Sequence, residues 1–461
     1  MKICFLPIDN RPVCYSLARD IVSIDDDIQI FLPPRDFLGD LKKTAKVDDI
    51  LNWLSNCPDC DAIVLSLDTI AYGGLIPSRR SKECFEEIKT RVEKLKSILT
   101  AKKAKIYAFS SIMRISNNNY NEEEKEYWKD YGKKIFEYSF SGGKNKSDIP
   151  DEILADYLTT RKRNFEINKL YLEWQKAGFI DTLIFSKDDC AEYGFNVDEA
   201  KELQRLGGDT MTGADEIPLT LLARALDKKI SLCPIFTEEK EKHLISKYED
   251  ISVENSIVKQ AQLAGFEIKP YDEADIILVV NNFKSEQGEI VMKVDTAPFE
   301  GEISSFLPKD KPYIIADVRF ANGSDNAFVD KLFARGRDKN FLAYAAWNTT
   351  ANTVGSLLCM TKYIYKAKNL DLVAYNKLLA TRFLDDWAYQ ANVRQTLREP
   401  KNIDKEMSPF VSKVEEFLGV KFGKAVFSYP WDRLFEIEVS LDMGSLYGIN
   451  RTYTISNSYV D

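Results

Sequence analysis

The adjacent acids Asp188 and Asp189, set just beyond an apolar run that ends at Phe185, are the pair in this chain best suited to chemistry. Two neighbouring carboxyls diverge once one of them is desolvated. Burial and the partner's charge raise one pKa, so one group stays ionised while the other can donate a proton. Glycoside cleavage uses such divided roles. An acid pair acting on a 2-acetamido sugar can orient the acetamido group with one carboxyl and protonate the leaving oxygen with the other. Imidazole cannot do this work here, because the only histidine, His243, sits in a charged run (238–248) that reads as a solvated helix face. That argues against Ser-His-Asp and Cys-His nucleophiles and against His-rich zinc or iron centres. Carboxylates, amides, Arg and Tyr remain, either as paired acids moving protons or as oxygen ligands of Mg2+.

Other polar residues gather where apolar runs end. Asp9, Asn10 and Arg11 follow the run 2–8, and Asp68 and Tyr72 follow 61–67. Arg114 follows 105–110, Asp215 and Glu216 follow 210–214, Asp317 closes 313–318, and Trp347 and Asn348 close 341–347. Any one of them can be read as a turn residue or helix cap, as Asp215 and Asn348 can. Their recurrence at the same end of so many runs asks for more than capping. We expect Asp188 and Asp189 to be catalytic and these eleven residues to bind substrate, with Trp347 stacking on a sugar face and Asn348 bonding its hydroxyls. Gly73-Gly74, near Arg79 and Arg80, reads as a tight turn or as an anion cradle. Without a GxGxxG or P-loop pattern, nucleotide binding has little support. Cys57-Pro58-Asp59-Cys60 has CxxC spacing but no second pair to complete a zinc ribbon; it reads as a loop entering a strand, with a redox motif as the alternative.

The elements that must position these residues alternate short apolar runs with amphipathic stretches. Helical spacing covers 47–54, 83–99, 216–226, 253–264, 350–365 and 375–391. Strands alternating with helices imply an α/β fold with a mainly parallel sheet. Two architectures fit: a (β/α)8-like barrel with a helical insertion, or two doubly wound lobes, each with a C-terminal appendage. The organisation reads as an α/β domain over 1–236 with a helical insertion at 117–175, a second α/β part closing the core over 237–370, and a helical and mixed appendage over 371–461.

A net charge of −9 over 461 residues disfavours broad contact with nucleic acid or anionic membrane, both of which need a basic surface. The opening apolar run is too short for an export signal, no stretch approaches a membrane span, and eight scattered cysteines read as reduced thiols. The expectation is a cytoplasmic protein with a small-molecule, carbohydrate-like substrate, no nucleic-acid or membrane partner, and no cofactor unless Mg2+. Homo-oligomerisation is left open.

Taken in order, Ile8-Asp9-Asn10-Arg11-Pro12, Leu32-Pro33-Pro34-Arg35, Ser66-Leu67-Asp68 with Tyr72-Gly73-Gly74-Leu75, Ser111-Ile112-Met113-Arg114, Asp188-Asp189 with Tyr193-Gly194, Gly213-Ala214-Asp215-Glu216, and Trp347-Asn348-Thr349 with Asn352-Thr353 resemble the bacterial domain-of-unknown-function family numbered 4127. The resemblance runs from residue 1 to about 365 and departs at 205–212, a short polar segment. It carries no activity; it implies that the strand-end residues belong to one site. The leading functional expectation is a hydrolase of the glycosidase type. The alternatives are a non-catalytic protein that binds a small metabolite and a Mg2+-dependent enzyme acting on a phosphorylated compound.

Overall fold

The computed structural model describes residues 1–146, 148–188 and 191–443. The apolar runs become strands. β1 (Lys2–Leu6), β2 (Gln29–Phe31), β3 (Ala62–Ser66), β4 (Lys105–Ile112), β5 (Thr182–Lys187) and β6 (Asp209–Thr212) form one sheet in the order 2-1-3-4-5-6. All its pairings are parallel. Every residue of β3 is buried, which is why the strand reads as unbroken apolar sequence rather than as alternation. The polar segment before Gly213 does form its strand, β6.

A second sheet takes the later runs. β7 (Ile230–Phe236), β8 (Phe266–Ile268), β9 (Ile276–Asn281), β11 (Tyr313–Asp317) and β13 (Phe341–Ala345) lie in the order 13-11-9-7-8, again all parallel. Two-residue strands β10 (Gly288–Glu289) and β12 (Phe320–Ala321) pair beside it, and β14 (Lys424–Ser428) forms an antiparallel hairpin with β15 (Glu438–Asp442). Counted within its own sheet, each set of strands begins 2-1-3-4-5, the order of a doubly wound sheet whose ligand crevice lies where the first and third strands part company. The fold is therefore mixed α/β with mainly parallel sheets, and the pairing is that of the two-lobed alternative.

The chain divides into two compact units. One comprises 1–16, 29–221 and 248–250; the other comprises 17–28, 222–247 and 251–461. In the first unit the helix Phe85–Thr100 buries Ile88, Val92, Leu95 and Leu99, at the i+3 and i+4 steps that lay one stripe on a sheet. The stretch 117–175 contains two helices, Trp128–Phe140 and Asp151–Lys176. Trp128, Ile135, Leu154 and Tyr157 build a small core of their own.

The run 238–248 is not the expected helix. It makes a single 3-10 turn, Glu239–Glu241, because it offers charges but no apolar stripe to dock; His243 is nonetheless exposed. The helical pattern of 375–391 resolves into an α-helix, Leu372–Arg382, continued by wider π-type turns over Phe383–Asn392. No helix among the described residues is long and apolar enough to cross a membrane.

Candidate functional site

Asp9 lies three residues past β1, and its carboxylate shapes the turn that follows. It accepts the backbone N–H of Arg11 at 3.0 Å and the Arg11 Nε–H at 3.0–3.1 Å. The guanidinium, so oriented, presents its outer edge to Asp215. Nη1 donates to Oδ2 at 3.0 Å and Nη2 to Oδ1 at 2.6 Å, the two-pronged geometry that makes Arg a strong and specific carboxylate partner. Asp9, Arg11 and Asp215 are all buried. Asp215 follows β6, four strand spacings from β1. At about 4.8 Å per spacing that is roughly 19 Å in a flat sheet. The contact therefore requires the loops to reach across or the sheet to coil, and either brings the strand ends into one patch. Burial pushes the Asp215 pKa up; Arg11 opposes this, and the charges of Asp9 and Asp188 reinforce it.

Asp188 stands at the end of β5, beside two arginines. Arg114, from the end of β4, reaches Asp188 at 3.2 Å, Glu123 at 2.7 Å and Glu124 at 3.2 Å. Arg79, from the short helix Leu75–Arg80, lies 3.5 Å from Asp188, 3.4 Å from Glu123 and 3.5 Å from Glu124. Two guanidiniums thus face three carboxyl groups. Arg79 is only 2% exposed, whereas the side chains of Asp188 and Glu123 are 19% and 24% exposed, so the acidic side is the one a ligand can reach. Asp189, the other half of the expected acid pair, lies outside the described residues.

Asp68, Tyr72 and Glu216, also expected of this unit, turn inward. Asp68 sits in the first turn of the helix Leu67–Ala71, wholly buried, with its carboxylate accepting the Ser111 backbone N–H at 2.7 Å and facing the Ser110 hydroxyl at 3.1 Å. It braces β3 against β4, and burial raises its pKa to about 6. Tyr72 packs in the apolar core beneath the Arg163 guanidinium, 5.4 Å from the ring centroid. Asn10 gives its backbone N–H to Gly39 O and its carbonyl to Arg35 Nε. Glu216 folds over Gly213, where a Cβ would meet its Oε1 at 1.8 Å; Gly213 also has φ +105°, so only glycine fits. The glycine pair does not cradle an anion. The Gly73 and Gly74 N–H groups donate to Thr69 O and Asp68 O, closing the preceding helix, and Arg79 is taken up by carboxylates.

Asp317, Trp347 and Asn348 belong to the second unit. Asp317 closes β11 and accepts from Asn281 Nδ2 at 2.8 Å, the Asp325 backbone N–H at 2.8 Å and Tyr344 Oη at 3.0 Å. Burial, then the charge of Asp325, lifts its pKa to about 7. Arg319, fully buried, donates to Asn281 Oδ1 and Glu238, and lies 3.5 Å from Asp325. Trp347 is 2% exposed and meets Phe435 edge-on at 5.9 Å, so it offers no open face for a sugar. Asn348 adopts φ +62° and accepts the Asn322 N–H at 2.8 Å. A cleft of 620 Å³ opens in this unit, lined by Glu289, Lys293, Asp295, Phe320, Asp325 and Asn326 among others.

The structure thus gathers Asp9, Arg11, Arg114, Asp188 and Asp215 at one sheet edge, places Asp68, Tyr72 and Glu216 within the same unit's interior, and assigns Asp317, Trp347 and Asn348 to the other unit. Sequence reading missed Glu123 and Glu124, which lie in a charged run indistinguishable from solvated surface. Among the described residues no three His, Cys, Asp or Glu side chains are grouped to hold a metal ion.

The chain belongs to the family described as protein of unknown function, DUF4127, whose model matches residues 3–440. No curated protein and no solved structure matches it.

Proposed function

We propose that this member of a family without an assigned activity is a hydrolase, most readily a glycosidase acting on a small sugar or 2-acetamido sugar, with its site at the strand ends of the first sheet. One observation carries the reading: Asp215, a buried carboxyl held by the Arg11 fork, has a raised pKa and feels the charge of Asp188. A carboxyl whose pKa burial raises, near a second carboxylate paired with two arginines, suits the division of labour that glycoside hydrolysis needs. Asp215 would protonate the leaving oxygen and Asp188 would act as base or nucleophile. Arg11 and Asp9 would hold the donor, while Arg114, Glu123 and Glu124 would fix Asp188 and meet substrate hydroxyls. In this reading the acid pair is Asp188 with Asp215 rather than Asp188 with Asp189, which lies outside the described residues. A cytoplasmic site of action fits the reduced cysteines and is part of the same proposal.

The test is turnover of a panel of aryl glycosides, 2-acetamido sugars included, by wild type, Asp188→Asn and Asp215→Asn. Loss of one acid or base is worth about 10²–10⁴-fold in rate. Absence of turnover across the panel, or turnover that both substitutions leave unchanged, would sink the proposal. The dense arginine–carboxylate pairing also suits a rigid cradle that binds a small polar metabolite without chemistry. That reading predicts a thermal shift with sugars or sugar acids and no product. The Mg2+-dependent reading gains no support from the described residues, and an EDTA control distinguishes it.

A further inference from the structure

The cleft of the second unit has no part in the proposed hydrolase. It opens on the carboxyl-end side of β11, where Phe320 follows Asp317 by three residues, and open α/β sheets hold their ligands on that side. Its 620 Å³ falls within the range of small-molecule sites, and Ile290, Val294, Pro298 and Phe320 give it apolar walls. The frame is fixed. The Glu289 N–H donates to Val294 O at 2.8 Å and the Val294 N–H to Glu289 O at 2.9 Å, pinning the turn between them. Gly323 faces that turn with φ +144°, and a Cβ on it would meet Ile290 Cδ1 at 2.8 Å and the Ala391 N at 3.0 Å. Only glycine therefore lets the end of the π-type segment Phe383–Asn392 come so close.

Wide π-type turns are rare and recur at functional sites. These ones orient a lining side chain. Trp387 Nε1 and Asn392 Nδ2, both from the π-type segment, donate to Asn326 Oδ1 at 2.9 Å each. That occupies both lone pairs of the oxygen and fixes which way the amide lies. Asn326 Nδ2 is left with its hydrogens and no acceptor among the described residues. The charges sort in the same way. The two buried acids of the lining are satisfied from within the unit: Glu289 accepts from the Asn322 side chain and the Met292 N–H, and Asp325 accepts the Ala327 N–H at 3.0 Å and the Phe299 N–H at 2.7 Å and lies 3.5 Å from Arg319. Lys293 and Asp295, on either side of Val294, are exposed and form no ion pair with each other or with any described residue. Asp295 Oδ1 accepts the Thr296 N–H at 2.9 Å, and Oδ2 is open. The cleft thus offers one cation, one anion and one amide donor around apolar walls.

We propose that this cleft binds a small zwitterion with an apolar body, an α-amino acid or a short peptide with free ends. The ligand carboxylate meets the Lys293 ammonium and the Asn326 amide. Its ammonium meets Asp295, and its apolar side chains lie against Ile290 and Phe320. A ligand of single charge leaves one rim group unanswered, and a polar body forgoes the walls. The Arg319 cluster beside the cleft keeps its structural role, holding Asp325 and the start of the helix Asn326–Arg335 in place.

The experiment is isothermal titration of the full-length chain with L-leucine and L-leucyl-L-leucine, each also in its N-acetyl and C-terminal amide forms. Saturable binding of a zwitterion is expected, with either cap weakening it about tenfold or more, the loss of one charge-assisted contact. Tighter binding of the dipeptide identifies a peptide as the source of this chemistry, and tighter binding of leucine identifies the free amino acid. Lys293→Ala and Asp295→Asn, both at exposed positions, should each weaken the zwitterion by about the same factor. Asn326→Asp keeps the acceptor for Trp387 and Asn392 but puts negative charge where the amide stood, and should abolish binding. No heat with either zwitterion at millimolar concentration, capped forms that bind as tightly as the free ones, or Lys293→Ala and Asp295→Asn variants that both bind like wild type would each overturn the proposal.

Discussion

Asp68→Asn should stabilise the protein more the higher the pH. In the wild type the Ser110 hydroxyl lies 3.1 Å from Asp68 Oδ1 and 2.7 Å from Asn168 Oδ1. Asn168 is oriented by its own amide, which donates to Ser111 O at 3.2 Å. One hydroxyl hydrogen cannot serve two acceptors. A proton on Asp68 Oδ1 resolves the conflict: Asp68 donates to Ser110, and Ser110 donates to Asn168. Burial already raises the Asp68 pKa to about 6, and this chain of donors favours the same protonated form. The folded pKa exceeds that of the unfolded chain, so the folded state binds more protons between the two values. Stability is therefore full below about 4 and declines until about 6. The gap from ~3.9 to about 6 is worth roughly 3 kcal/mol at ~1.4 kcal/mol per pH unit, as an upper figure. Asparagine reproduces the protonated arrangement. Its carbonyl accepts from Ser111 N–H and its amide donates to Ser110 Oγ, with no charge to desolvate. Urea unfolding of wild type and Asp68→Asn at matched pH values from 4 to 8 cancels all other titrating groups in the difference. The variant should gain up to about 3 kcal/mol relative to wild type across that range. A difference that stays flat with pH would refute the reasoning.

Asp317→Asn should do the opposite, although burial raises that carboxyl too. Its Oδ1 faces the Asn281 amide and its Oδ2 faces a backbone N–H, so either placement of the new NH2 opposes a donor, at a cost of about 1–3 kcal/mol in chemical denaturation. Gly213→Ala combines the clash with Glu216 and the φ of +105° and should lower stability by at least about 1–3 kcal/mol, read as a fall in Tm. Arg11→Ala removes the guanidinium that the buried Asp9 and Asp215 share and should cost about 3–5 kcal/mol in urea unfolding; a loss under about 1 kcal/mol would show that the fork contributes little to stability.

The strands were legible because a strand covered on both faces is apolar along nearly all its length, as Ile276–Asn281 and Ala62–Ser66 are up to their last residue. β8 was not: it has three residues, of which only Phe266 is buried, so it leaves no run to detect. Strand order was equally hidden, since nothing in residues 2–8 records that they pair with both 29–31 and 62–66. At the site, Asp9, Arg11, Arg114, Asp188 and Asp215 were recoverable as polar residues at strand ends. Their partnerships were not, because the Arg11–Asp215 bond joins positions 204 residues apart. Glu123 and Glu124 carry no signal at all until Arg79 and Arg114 are seen against them.

Each unit contains a buried arginine held by two acids, Arg11 by Asp9 and Asp215 and Arg319 by Glu238 and Asp325, and the two differ in what surrounds them. Buried ion pairs cost desolvation that only complete hydrogen bonding offsets. In the second unit the offset is thorough. Arg319 is wholly buried and donates to Asn281, Thr237, Glu238 and the Ala297 carbonyl, and Asp317 beneath it takes three donors. Such a cluster holds loops to a sheet edge. In the first unit the ionic network grades outward, from Arg79 at 2% exposure through Arg114 at 14% to Asp188 at 19%. A carboxylate brought to the surface by arginines beneath it, next to a second acid whose pKa burial raises, is costly to maintain if nothing binds there. That difference in depth is the physical ground on which we propose a reaction at the first sheet and assign the second cluster to structure.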